Sequence, residues 1–205
     1  MDIAQHNTIV LDFVQRAQRS NIVPHQISAE TGTLLATLER CLQAKCVLEI
    51  GTLWGYSTWW LYQGLAQQAA AQIITIEKEL KHSALAQQFL TATGLSDATK
   101  PTTVELRSGD ATKIIPEFTA TTFDFIFLDA DRRDYVALLP QLLRVLQPGG
   151  LLVVDNVTIS TDHANAASLK EFLAQIFQQS NLYSVQLGGS ANLMLCLKIG
   201  KSGPA

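Results

Sequence analysis

Apolar positions along the chain recur first at helical and then at strand spacing, and the period changes near residue 46. Between residues 8 and 19, Ile9, Val10, Phe13, Val14 and Ala17 form one stripe of a helix that should pack against a body or a partner subunit. Pro24 has no N–H and biases Val23 toward an extended shape, so the stretch 21–26 breaks that helix. Ser28 reads as the N-cap of a second helix with Leu34, Leu35, Leu38, Cys41 and Leu42 on one face. The period then shortens. Cys46-Val47-Leu48-Glu49-Ile50 is a buried strand that runs into a turn bracketed by Gly51 and Gly55, with a helix from about 57 to 67 behind it. Glycines there let backbone pass close to whatever lies over the turn.

From this point strand and helix alternate. Strands are predicted at 72–76, around Val104 and Leu106, at 123–128 and at 151–154. Helices fall between them, one through Ala84, Phe89 and Leu90 that stops at Gly94, another over 135–146 closed by Pro148-Gly149-Gly150. Such alternation predicts an α/β fold, a parallel sheet covered by helices on both faces. The last third changes rhythm: a helix over 165–179 precedes strands at 183–187 and 192–199 joined only by Gly188-Gly189-Ser190-Ala191. That hairpin-length link inserts one antiparallel strand at an edge of the sheet. With no internal repeat or linker, the 205 residues read as one domain, 1–205, of which 1–26 is an N-terminal helical extension and 200–205 a frayed tail.

Composition narrows the partners. At 47% hydrophobic and 16% charged the chain is globular, and a net charge of -3 without a Lys/Arg run offers no footprint for a nucleic-acid backbone, though it leaves a small RNA substrate open. No apolar run approaches the roughly 20 residues that span a bilayer, and Met1-Asp2-Ile3-Ala4-Gln5 lacks the basic-then-apolar order of a signal peptide, which predicts a cytoplasmic protein without membrane contact. Cys41, Cys46 and Cys196 make an odd count without C-x-x-C spacing and read as reduced, buried thiols.

Candidate chemistry gathers at the predicted strand ends. A dinucleotide site needs G-x-G-x-x-G, whereas Glu49-Ile50-Gly51-Thr52-Leu53-Trp54-Gly55 has two glycines four apart and an acid. That acid suits the ammonium and sulfonium of S-adenosylmethionine better than a pyrophosphate. Glu77 closes the next strand, where a ribose diol is commonly gripped; the plainer reading of Glu49 and Glu77 as helix-capping acids stays open. Further along come Gly109-Asp110, Asp129-Ala130-Asp131 and Asp155-Asn156. So many acids on one rim repel each other unless cations intervene, one a sulfonium cofactor and the second a metal. Asp129, Asp155 and Asn156 offer hard oxygens, which favours Mg²⁺ with Mn²⁺ or Ca²⁺ as competitors over structural zinc; the alternative is that Asp155-Asn156 only forms a turn.

These stretches, in order and spacing, carry a family resemblance: Ser28-Ala29-Glu30-Thr31-Gly32, Leu48-Glu49-Ile50-Gly51-Thr52 with Gly55-Tyr56-Ser57, Thr75-Ile76-Glu77, Gly109-Asp110-Ala111, Phe127-Leu128-Asp129-Ala130-Asp131 with Tyr135, and Pro148-Gly149-Gly150 through Asp155-Asn156-Val157. From about 27 to 198 the chain resembles the metal-dependent O-methyltransferases related to catechol and caffeoyl-CoA O-methyltransferase, above all their small bacterial members. The resemblance implies the Rossmann-like class I fold, a seven-stranded and mostly parallel sheet, usually in a homodimer. It implies that Gly51, Thr52, Tyr56 and Ser57 line the methionine and ribose of S-adenosylmethionine, with Glu49 near the amino acid end and Glu77 on the ribose hydroxyls. Asp110 and Ala111 would border the adenine, Ile27 would close over the cofactor, and Asp129 and Asp131 would lie beside it. Asp129, Asp155 and Asn156 match the metal ligands.

One departure changes the expected chemistry. The family usually has a lysine, its favoured general base, after the Asp-Ala-Asp run, and this chain has Arg132-Arg133. Arginine stays protonated and does not take the acceptor's proton. The expected reaction is O-methylation of a small catechol-like or vicinal-diol acceptor, with Asp129 and Arg132 as the catalytic pair: the metal lowers the hydroxyl pKa and Arg132 stabilises the developing phenolate. The other readings of Arg132 are a surface residue or reduced activity. Rival functions are methylation of a hydroxyuridine in tRNA and S-adenosylmethionine binding with little turnover. The stretch 158–163 should border the acceptor, with His163 either a second base or simply exposed; Trp54 should narrow the pocket or pack, and Trp59 and Trp60 belong to the core or a dimer contact.

Overall fold

Alternating strands and helices are what the chain forms. The computed structural model describes residues 3–23, 25–65, 70–158, 166–188 and 192–200, with side chains from Thr8 onward. In order these are α1 (Ile3–Arg19), α2 (Ala29–Leu42), β1 (Cys46–Ile50), α3 (Tyr56–Leu65), β2 (Ala71–Glu77), α4 (Leu80–Ala92), β3 (Thr102–Ser108), α5 (Ala111–Ile114) with a 3₁₀ turn over Ile115–Glu117, β4 (Phe123–Leu128), α6 (Tyr135–Val145), β5 (Leu146–Val154), α7 (Ala166–Phe177), β6 (Leu182–Leu187) and β7 (Leu193–Lys198). The seven strands form one sheet in the order β3-β2-β1-β4-β5-β7-β6. The β2–β3, β1–β4 and β4–β5 pairs are parallel, and β7 runs antiparallel to both its neighbours. The reversed strand therefore stands one place in from the edge, between β5 and β6. No helix among the described residues is long and apolar enough to cross a membrane.

Three sequence expectations need correction. The first helix starts at Ile3, ahead of the apolar stripe that announced it. Pro148-Gly149-Gly150 does not separate α6 from its strand: β5 already begins at Leu146, and its register against β4 jumps from Phe123↔Leu146 to Phe125↔Leu151. A proline without a ladder donor and a glycine at φ +83° let that strand bulge between two anchored pairs. Of the thiols only Cys196 is buried; Cys41 is exposed and Cys46 half-buried, and none is in a disulfide. The link residues 189–191 and the stretch 159–165, including His163, lie outside the described residues.

Contacts along the chain divide it into two compact units, Met1–Lys45 with Thr52–Gly109, and Cys46–Gly51 with Asp110–Ala205. In the first, the apolar stripe of α1 supplies Phe13 and Ala17 to a cluster completed by Trp54, Leu85, Phe89 and Leu90. Trp54 is fully buried there, its ring parallel to Phe13 at 6.4 Å and edge-on to Phe89 at 5.2 Å, so it packs rather than narrowing a pocket. Helices α2 and α3 pack closely because Gly32 lies under the Trp60 indole, where an added Cβ would come within 2.4 Å of the ring. Trp60 also meets Trp59 edge-on at 4.9 Å.

The second unit holds the apolar strands β1 and β4, whose near-continuous burial suits a sheet covered on both faces. Glu49, near the end of β1, is an acid with no exposed surface among them. Fully buried Tyr135 opens α6 and meets Phe172 of α7 at 5.1 Å. At the other end of that helix Arg144 donates to the carbonyls of Phe118 (2.8 Å) and Ile115 (3.0 Å), fixing the 3₁₀ turn.

Candidate active site

Within the first unit, the predicted ribose ligand is held in advance. Glu77 ends β2 almost entirely buried, and its two carboxylate oxygens accept from the backbone N–H of Leu53 (2.8 Å) and of Glu79 (2.8 Å). Leu53 makes its bond from the left-handed region, φ +52°, a conformation that costs a non-glycine residue energy and persists here in the glycine turn. His82, at the start of α4, places Nδ1 3.5 Å from Glu77 Oε1. Sequence reasoning did not single out His82; five residues past a strand-end acid, on the first turn of the next helix, was the signal available. The hydroxyls of Thr52 and Thr75 bond each other, so Thr52 is pinned to β2.

Other residues that the resemblance assigns to the cofactor are packed within this unit. Tyr56 stacks on Trp54 at 5.4 Å and meets Trp60 edge-on at 6.3 Å. Ser57 is buried at the start of α3, and Ile27 is buried just before Ser28, which caps α2 by accepting from Thr31 N–H at 3.1 Å. Gly55, at φ +96°, is required because a Cβ would come within 2.9 Å of the Phe89 ring.

The second unit brings Asp129, Asp155 and Asn156 together. Gly51, at φ +97°, has no room for a Cβ, which would lie 2.0 Å from the Asp129 carbonyl oxygen. What passes close to Gly51 is therefore this chain's own backbone: Asp129 N–H donates to the Ile50 carbonyl at 2.9 Å, drawing the ends of β1 and β4 together. At the next strand end Asp155 N–H donates to the Leu128 carbonyl at 2.9 Å. Asn156 then turns the chain at φ +61°, a conformation asparagine tolerates, and its side-chain Nδ2 donates to Asp129 Oδ1 at 3.1 Å. Its own backbone N–H donates to Asp155 Oδ1 at 2.7 Å.

Electrostatics sets this cluster apart. Burial, then the charge of Asp155 and to a smaller extent that of Glu49, push the Asp129 carboxyl up to about 7, against the Asn156 hydrogen bond and the Arg132 charge. Burial also raises Asp155, opposed by the Asn156 N–H and Arg132. Arg132 is thus the cation nearest in influence to both acids, while Arg133 turns away and forms a forked ion pair with Asp131, with Nε 3.0 and 2.9 Å from its two oxygens. Asp131, expected beside the cofactor, holds that arginine. Asp110 caps α5, its Oδ1 accepting from the Thr112 N–H (2.9 Å) and hydroxyl (2.7 Å), and Ala111 is the buried first residue of that helix.

Among the described residues no group of three or more His, Cys, Asp or Glu side chains forms a metal site. The candidate set is two aspartates and an asparagine amide. It fits a hard divalent cation: both acids are raised by burial, Asp155 adds to the rise at Asp129, and Asn156 keeps an amide oxygen once its nitrogen is spent on Asp129.

Comparison with known proteins agrees with the motif order. Residues 2–199 match the family model described as O-methyltransferase. A catechol O-methyltransferase of Niastella koreensis is 39% identical over 134 residues, 64% of this chain and 58% of that protein, so the match spans little more than half of the relative's length. One from Mycobacterium tuberculosis is 33% identical over 162 residues, 76% of this chain and 70% of the relative. Among solved structures, an O-methyltransferase from Bacillus cereus in complex with SAH superposes with a TM-score of 0.79 at 28% identity, covering 93% of this chain and 91% of that one. Another from Streptomyces achromogenes, involved in tomaymycin synthesis and bound to SAM, has a TM-score of 0.79 at 29% identity and covers 98% and 91%. A seven-stranded sheet with β7 reversed, these motifs in this order and a family match over nearly the whole length establish that the chain belongs to the O-methyltransferase family.

Proposed function

We propose that this protein transfers the methyl group of S-adenosylmethionine to a hydroxyl of a small acceptor with adjacent hydroxyls, of the catechol type. We assign Asp129, Asp155 and Asn156 to a divalent cation, Mg²⁺ in the first place. The observation that carries the reading is the carboxyl pair at the ends of β4 and β5, costly to ionise together without a cation and flanked by the Asn156 amide. Relatives named catechol O-methyltransferase support the acceptor class, and neighbours crystallised with SAM or SAH support the cofactor.

A bound divalent ion supplies Lewis acidity that lowers the pKa of an acceptor hydroxyl. The chain's own residues bind and orient. Glu77, pre-set by the Leu53 and Glu79 N–H groups, has lone pairs left for ribose hydroxyls. Arg132 holds a permanent positive charge whose field reaches Asp129 and Asp155, suited to stabilising an acceptor oxygen as it becomes anionic but not to removing its proton. Positioning and charge stabilisation then supply most of the rate.

The test is methylation of a catechol panel with radiolabelled S-adenosylmethionine. Activity is expected with Mg²⁺ and loss of it after EDTA; EDTA-treated protein that methylates as fast as the Mg²⁺ form refutes the metal assignment. In an Arg132→Lys variant the lysine can accept a proton, and increased activity at alkaline pH is expected.

A further inference from the structure

The hydroxyl of Tyr135 has no task in the chemistry above, yet its surroundings are specific. The ring is fully buried against Phe172, where a phenylalanine would pack as well and spare the cost of burying a polar group. The hydroxyl instead donates a backbone hydrogen bond to the Asp155 carbonyl at 3.2 Å. Tyr135 opens α6 shortly after the Asp129 ligand at the end of β4, and Asp155 is itself a ligand at the end of β5. Beyond the Asp155 carbonyl the chain enters the left-handed turn at Asn156, the turn that aims the Asn156 amide at Asp129. The parallel ladder between these strands fixes Asp155 only from its N–H side, through the Leu128 carbonyl. Its carbonyl side is fixed by the phenol.

We infer that Tyr135 is a positioning residue whose hydroxyl clips the start of α6 to the Asp155 carbonyl at the end of β5 and so holds the turn that sets the Asp155–Asn156 pair against Asp129. The inference rests on the metal reading of those three residues. It places the clip outside the ligand shell, so that it acts on how well a cation is held rather than on the methyl transfer. Partners of this kind typically govern about ten- to hundredfold in metal affinity.

The experiment is Mn²⁺ titration by calorimetry of the full chain, wild type against Tyr135→Phe, which keeps the ring contact with Phe172 and removes only the hydroxyl. The expected result is Mn²⁺ affinity lower by about tenfold or more, unchanged S-adenosylmethionine affinity, and kcat restored at saturating Mn²⁺. Phe172→Leu disturbs the packing but leaves the hydroxyl, and should hold Mn²⁺ within about twofold of wild type, well inside the range set by such partners. Two results overturn the inference while leaving the metal site standing: Tyr135→Phe that binds Mn²⁺ like wild type, or Phe172→Leu that loses as much. Wild-type protein that binds no Mn²⁺ overturns the metal reading, and the clip with it.

Discussion

Asp129→Asn is expected to make the metal-free protein more stable at alkaline pH while destroying the site. The substitution keeps the shape of the side chain and removes a charge that burial and the neighbouring Asp155 disfavour, lifting the carboxyl from an ordinary 3.8 to about 7. The folded chain therefore holds that proton to higher pH than the unfolded chain does. Its stabilising contribution is complete below about pH 4 and is lost as pH climbs through about 7. At about 1.4 kcal/mol per pH unit, the ionised carboxylate costs about 4 kcal/mol at pH 8, of which over 2 accrues above pH 5. Relaxation and water around a partly buried group reduce what is realised to about half. Each kcal/mol moves the melting temperature of a domain this size by about 2–4 °C. Melts followed by circular dichroism in EDTA at pH 5 and pH 8 should show Asp129→Asn above wild type, with the gain several degrees larger at pH 8, and Mg²⁺ should raise wild type only. An equal gain at the two pH values, or a variant that melts below wild type at pH 8, refutes the electrostatic account of this cluster.

Other expectations come from single contacts. Glu77→Gln should weaken S-adenosylmethionine binding about ten- to hundredfold by calorimetry, the range for losing charge-assisted hydrogen bonds, and unchanged affinity would remove Glu77 from the ribose. Gly51→Ala should destabilise by more than about 3 kcal/mol in urea melts, since the new methyl meets the Asp129 carbonyl and the residue holds φ +97°. In the native protein Cys41, which is exposed, should react quickly with a thiol reagent, whereas Cys196, buried and raised to about 11, should react only on unfolding, as mass spectrometry of the labelled peptides would show.

Periodicity, acid-ended strands and glycine punctuation made the layered α/β fold legible in the amino-acid order alone, because hydrophobic period and turn chemistry are local. The apolar runs of β1 and β4 admit little but buried parallel strands, and the short link before β7 admits little but a hairpin. Local signals misled where tertiary pairing overrode them, as at Pro148-Gly149-Gly150, which reads as a stop and is instead carried within β5 by the anchored pairs on either side.

Residue types and their order settled by themselves which acids end which strands, and so which chemistry the chain was suited to. What only the folded chain decided is what each of them touches. The glycines of the turn make room for the Asp129 carbonyl and the Phe89 ring, Trp54 belongs to the core cluster of α1 and α4, and Asp131 is taken by Arg133 while Arg132 acts on Asp129 and Asp155. The phenol of Tyr135 reaches the backbone of a strand end twenty residues away along the chain. The reason is physical: a strand's character is written in neighbours one or two positions apart, whereas a contact across the sheet depends on register, and register is set by the packing of the whole chain.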